Sequence, residues 1–193
     1  MSTLLALLGF FLQTPAPAAA LQPAPGNPVV VIETSAGTIT AELYKDRAPV
    51  SVANFLQYAR DGHYDGTIWH RVVSGYVIQG GGYTPEMAER STRPPIQNEA
   101  TNGLSNRRGT LAMARTRQAR SATSQFYINL VDNPALDHRG FSPDDFGYAV
   151  FGRVLTGMDV VDRIAVVKTS TSREGMEAVP LTPVLIKGVT EKK

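Results

Sequence analysis

From residue 29 onward, short runs of β-branched and aromatic residues recur along the chain, each cut off by glycine, proline or a polar loop. That punctuation limits the fold more than any single motif, because a run of a few residues suits a strand and is too short for an ordinary helix. Val29–Thr34 and Thr38–Leu43 flank Ser35-Ala36-Gly37 and read as two strands joined by a tight turn. Residues 64–83, Thr110–Ala114, Gln125–Leu130, Ala149–Val154 and Val179–Val189 have the same character. Only two segments change period. Val52, Phe55, Leu56 and Ala59 fall at i, i+3, i+4 and i+7 between Pro49 and Asp61-Gly62, which predicts a helix with one apolar face. Met158, Val161, Ile164 and Ala165 mark a second, shorter helix. Thr84–Asn106 and Asn133–Asp145 are polar and proline-bearing and read as loops. Many short strands with two helices predict a mainly β domain, a barrel or a sandwich.

Residues 64–82 hold the strongest chemical signal. Arg71 lies in an apolar, aromatic run, where a charge is costly to bury unless it has a partner or a task. Gln79 follows eight residues later, just before Gly80-Gly81-Gly82. A single strand through this stretch would put both side chains on one face, although Ser74-Gly75 reads as a bend. The glycines are not a phosphate loop, since no G-K-[ST] follows. They fit close backbone packing or a bend. His63, His70 and His138 are isolated, without metal-ligand spacing, so no metal site is expected, and His70 reads as structural.

The size of the chain, 193 residues, fits one domain, and 42% hydrophobic content is enough for a core. A formal charge of +2 is too small an excess to announce a polyanion partner, and a nucleic-acid ligand is not expected. With no cysteine, thiol catalysis and disulfides are excluded. Leu4–Leu12 is an apolar run followed by Ala16-Pro17-Ala18-Ala19-Ala20, which reads as a signal peptide over residues 1–20. The run is too short to span a bilayer as a helix. The expected order is therefore signal peptide 1–20, proline-rich leader 21–28 and a domain over 29–190, in a periplasmic or secreted protein.

Four blocks carry a resemblance. They are Trp69-His70-Arg71 with Gly75-Tyr76-Val77-Ile78-Gln79-Gly80-Gly81; Gly109–Arg115; Ser121–Asn129; and Leu136-Asp137-His138 followed by Phe146–Val154. In order and spacing the chain resembles the cyclophilin family of peptidyl-prolyl cis-trans isomerases, and looks most like the exported bacterial branch. The resemblance implies a closed eight-stranded antiparallel barrel with an α-helix over each open end. It implies catalysis of Xaa-Pro rotation, with proline-containing peptides and unfolded exported proteins as partners, in a monomer that needs no cofactor. Arg71 is then the catalytic donor, with Gln79 orienting it and touching substrate backbone. Tyr76, Val77, Tyr127 and Leu136 would line the proline pocket, joined by Tyr148, while Ala114, Arg115 and Gln125 would pair with the peptide backbone.

Several residues depart from the better-known eukaryotic pattern. Trp69 replaces a phenylalanine, Ser74 a proline, Tyr76 and Tyr127 phenylalanines, Val77 a methionine and Tyr148 a histidine. These changes predict a more polar, differently shaped pocket. Ala135 stands where many members carry a tryptophan that contacts cyclosporin, so weak cyclosporin binding is expected. Two other readings compete. One is a module that holds proline-containing chains without turnover, which would not need Arg71. The other is a polyanion surface built on Arg107, Arg108, Arg115, Arg117 and Arg120, for which a solvated basic loop is the plain alternative. A serine hydrolase is excluded by the lack of a G-x-S-x-G turn.

Overall fold

The computed structural model describes residues 21–172 and 175–192. The expected signal peptide lies outside these residues. Strands β1 (Val29–Thr34) and β2 (Gly37–Leu43) form the predicted hairpin. After helix α1 (Pro49–Arg60) come β3 (Thr67–Ile68), β4 (Arg71–Val73), β5 (Val77–Gly80), β6 (Thr110–Met113), β7 (Phe126–Asn129) and β8 (Val150–Thr156). Helix α2 (Met158–Ala165) precedes the small β9 (Thr169–Ser170) and β10 (Val179–Pro180) pair and the last strand, β11 (Leu185–Glu191). Both helices sit where the 3.6-residue period placed them. Pro49 opens α1, where a missing N–H costs nothing.

The main sheet is antiparallel, in the order β3-β11-β1-β2-β8-β6-β7-β5-β4. This corrects the expected closed eight-stranded barrel: the curled sheet has nine strands and its order is open. The physical reason lies at Trp69-His70, which leave the strand. The Trp69 N–H donates to the Val184 carbonyl, and the Val72 N–H donates to the Ala178 carbonyl. The stretch over 67–73 is thus split between two partners, and β3 and β4 become opposite ends of the ladder although only two residues separate them. The 71–79 stretch is likewise not one strand. Ser74-Gly75-Tyr76 turns the chain, with Gly75 at φ +71°, and Arg71 stands directly across from Gln79 in the β4–β5 hairpin.

Inside the sheet Phe55 from α1 meets Tyr64, Phe126 and Phe151, with ring centroids at 5.1, 5.2 and 5.3 Å. Trp69 is fully buried and lies edge-on to Phe126. Burying each such side chain stabilises the fold by about 1.5–3 kcal/mol. α1 packs on β11 and α2 on β2. The leader over 21–28 is tied to this body. Asn27 and the Ala24 N–H donate to Glu42, whose buried carboxylate also pairs with Arg153. Among the described residues no helix is long and apolar enough to cross a membrane.

Candidate active site

A strand points successive side chains to opposite faces, so β5, β6 and β7 each contribute to the interior and to an outer surface. Val77, Ala112, Ala114, Tyr127 and Val150 form a separate apolar cluster on that outer surface, with Tyr76, Leu104, Leu136 and Tyr148 packed against it. Here the structure opens a cleft of about 180 Å3 lined by Arg71, Tyr76, Val77, Gln79, Ala114, Arg115, Tyr127, Leu136 and Tyr148. Every predicted site residue lines it except Gln125, which touches it through Gln79: the Gln79 Nε2 donates to the Gln125 Oε1 at 3.0 Å.

Arg71 is half-buried at one side of the cleft, and its side chain makes no hydrogen bond or ion pair with any described residue. The alternative of a structural salt bridge therefore fails. No side-chain hydrogen bond joins Arg71 to Gln79. Gln79 spends its amide on Gln125, and cross-strand pairing alone puts Arg71 and Gln79 on one face.

Gln125 is seated between Gly82 and His70. A Cβ built on Gly82 would lie 2.5 Å from Gln125 Cγ and 2.7 Å from its Nε2, so glycine there clears the space the amide occupies. His70 is buried against the Tyr83 ring at 4.6 Å. Burial lowers its pKa to about 4, against the pull of the Ile68 backbone and the Gln125 side chain. His70 is neutral at physiological pH and structural, as the sequence indicated.

The Tyr127 hydroxyl adds no polarity to the cleft. Tyr127 is buried, and its hydroxyl points away into the protein, donating to the Asn106 Oδ1 at 2.7 Å. Burial, with Tyr148 and Tyr76 close by, pushes its phenol well above the usual range. The cleft is thus offered an aromatic ring. The Arg115 side chain is spent on the protein itself. Its guanidinium lies 4.5 Å over the Tyr148 ring and donates to the carbonyls of Gly147, Pro143, Thr116 and Arg117. It fastens the 139–147 loop to the rim. The Ala114 N–H donates to the Gln125 carbonyl, so the backbone of this shelf is in place.

The arginine-rich segment loses most of its free charge in the same way. Arg108 pairs with Asp162 and Arg117 with Asp144. With Arg115 committed, only Arg107 and Arg120 of the five carry no side-chain partner among the described residues. Among the described residues no cluster of three or more histidine, aspartate or glutamate side chains could hold a metal.

Comparison with known proteins decides the family. The description "cyclophilin type peptidyl-prolyl cis-trans isomerase/CLD" matches residues 29–191. The chain belongs to the cyclophilin family. It is 57% identical over 157 residues to a peptidyl-prolyl cis-trans isomerase of Streptomyces antibioticus, covering 81% of this chain and 94% of that one. Peptidyl-prolyl cis-trans isomerase B of Escherichia coli is 51% identical over 163 residues, covering 84% and 98%. Among solved structures, a cyclophilin-type isomerase of Cryptosporidium parvum superposes with a TM-score of 0.68 at 25% identity, covering 86% of this chain and 98% of that one. The protein is a cyclophilin-type peptidyl-prolyl cis-trans isomerase. Asn106, Asn129 and Asn133, the buried amides beneath the cyclophilin cleft, were not found from sequence. They sit in or beside polar loops, and nothing in an asparagine's neighbours along the chain reveals that it is buried.

Proposed function

We propose that the 180 Å3 cleft is the proline site and that Arg71 is the catalytic residue. An Xaa-Pro amide resists rotation with a barrier of about 18–20 kcal/mol. Turnover at ~10–10³ per second requires lowering it by roughly 4–8 kcal/mol. In the twisted amide the nitrogen regains its lone pair and the carbonyl loses conjugation. A site that stabilises that form over both planar forms accelerates rotation in each direction. The observation that carries the reading is the Arg71 guanidinium, half-buried at the cleft with its donors unspent on protein groups. A rigid, always-charged donor fork in a partly dry cleft is suited to the twisted amide. Tyr76, Val77, Tyr127 and Leu136 hold the proline ring, and Tyr148 closes the far wall. Gln79, fixed by Gln125, meets the substrate backbone, and Ala114, Arg115 and Gln125 offer backbone groups to it. A relative of the same fold was crystallised in the presence of the dipeptide Ala-Pro, which agrees with a proline-containing ligand.

The wider role we propose is assisting the folding of exported proteins, by a monomer of the exported branch, periplasmic or secreted after cleavage near Ala18–Ala20. Its support is the apolar Leu4–Leu12 run and the small residues behind it. Weak cyclosporin binding follows from Ala135, which is exposed beside Leu136 in a short 3-10 turn where a large aromatic would be needed. Cis/trans exchange of an Xaa-Pro peptide, followed by NMR with wild type and Arg71→Ala, tests the site. Acceleration by wild type that is largely lost in the variant supports it. An unchanged rate in folded Arg71→Ala removes Arg71 from the chemistry. Mass spectrometry of the mature N-terminus, from periplasmic and cytoplasmic fractions, tests export.

A further inference from the structure

One wall of the cleft, Leu136, is only partly buried against the apolar cluster. Leu136 belongs to a 3-10 turn, Pro134–Leu136, that buries none of its own side chains. Such a turn is too short and too poorly hydrogen-bonded to hold itself in place. A hydrogen-bonded network beneath it does so instead, and its centre is Asn106, only 1% exposed. The Asn106 Oδ1 accepts from the Tyr127 hydroxyl at 2.7 Å and from Asn129 Nδ2 at 3.3 Å. Its Nδ2 and its backbone N–H both donate to Asp137 Oδ1, at 3.0 and 2.7 Å. Its carbonyl accepts the Asn133 N–H at 2.7 Å. Asn133 Nδ2 in turn donates to the Tyr76 carbonyl, and the Asn133 carbonyl accepts the Leu136 N–H. No polar atom of Asn106 is left over.

We propose that Asn106 is a positioning residue for the proline cleft: one buried amide holds Tyr127 on the floor at a fixed spacing from Asp137 and the Leu136 wall. The proposal rests on the reading of this cleft as the proline site. The chemistry selects asparagine, because the side chain must accept from a phenol and donate to a carboxylate at once. Asp in its place keeps the acceptor but sets a second carboxylate oxygen 3.0 Å from Asp137. Leucine would leave a buried phenol and a carboxylate both short of a partner. Asn106 does not reach the bound amide, so its loss acts on how well the proline ring is held. Arg71 stands on β4, outside this network, and still acts on peptide that does bind.

The experiment titrates a proline-containing peptide into full-length mature protein by NMR and reads Kd and the on-enzyme exchange rate separately. For Asn106→Asp we expect Kd to rise about tenfold, the scale of a lost charge-assisted hydrogen bond. We expect the on-enzyme rate to stay within about twofold, since Arg71 is untouched. Wild-type Kd in folded Asn106→Asp overturns the proposal. Should Asn106→Asp not fold, Tyr127→Phe takes its place. It cuts one arm of the network, and Kd should rise about threefold, one neutral hydrogen bond's worth. No change there overturns the proposal. Peptide-induced shifts that fall away from the cleft would sink the site assignment and the proposal with it. Shifts on the cleft with an unchanged rate in Arg71→Ala would remove only Arg71's role.

Discussion

Phe126 and Tyr127 are neighbours on β7, yet they belong to different kinds of structure. Phe126 faces inward and meets Phe55, Tyr64 and Trp69, all at ring-centroid distances of 5.2–5.5 Å. Tyr127 faces outward into the cleft, and its hydroxyl is tied to Asn106. The inner face is held by packing, which is non-directional and cooperative. The outer face must leave a cleft open for a proline ring, so it cannot fill its own volume. Hydrogen bonds take over there, because they fix position without filling space. The same strands thus serve as a core on one side and as a pre-shaped surface on the other.

The largest effect belongs to the inner face. Phe126→Ala should cost about 3–5 kcal/mol by lost burial and the cavity left behind. Chemical denaturation would read this as a lower midpoint, while any protein still folded keeps its isomerase activity. Arg71→Ala tests the opposite pole. Activity should fall about 10²–10³-fold, the scale of losing one transition-state donor. The melting temperature should hardly move, since Arg71 has no hydrogen-bond or ion-pair partner among the described residues. A large loss of stability in this variant would return Arg71 to a structural role.

The junction between the faces titrates. His70 has a folded pKa of about 4 against an ordinary 6.5. Between those values the unfolded chain binds the proton more readily, so stability is complete above pH 6.5 and declines as pH falls toward 4. The ceiling on this effect is about 3 kcal/mol. His70→Gln should flatten that part of the curve, and denaturation series at pH 7 and pH 4.5 would show it. Equal pH slopes in both proteins would contradict the burial of a neutral imidazole.

Smaller effects sharpen the outer face. Gly82→Ala should displace Gln125, release Gln79 and weaken peptide binding by about tenfold, one charge-free contact with its desolvation. Gly82 lies outside the left-handed region, so the backbone accepts alanine and stability changes little. Wild-type affinity in Gly82→Ala would show that Gln125 can move aside at no cost. Tyr127→Phe should remove about 1 kcal/mol of stability, one net hydrogen bond, and thermal melts would measure it.

Much of this was legible along the chain. The strand runs, the two helical periods and the turn at Ser35-Ala36-Gly37 are local matters of propensity and period, and each recurs in the structure within a few residues. Nine of the ten predicted site residues line one cleft because the motifs keep their spacing, and spacing survives folding. Partners are another matter. Gln79 stands across from Arg71 in the hairpin, yet its amide N–H goes to Gln125, 46 positions away. Tyr127's hydroxyl reads as pocket polarity until Asn106, 21 positions earlier, takes it. The arginines over 107–120 read as a patch until Asp144 and Asp162 arrive from elsewhere.

The strand runs, the two helical periods, the family and nearly all the side chains that line the cleft are written along the chain, because these follow from local period and from the order of short motifs. Tertiary structure alone decided that the sheet breaks at Trp69-His70, that Arg71 keeps its donors free and that Asn106 underlies the pocket. Each depends on which distant group reaches a given polar atom first, and burial sets that competition only once the chain has closed on itself.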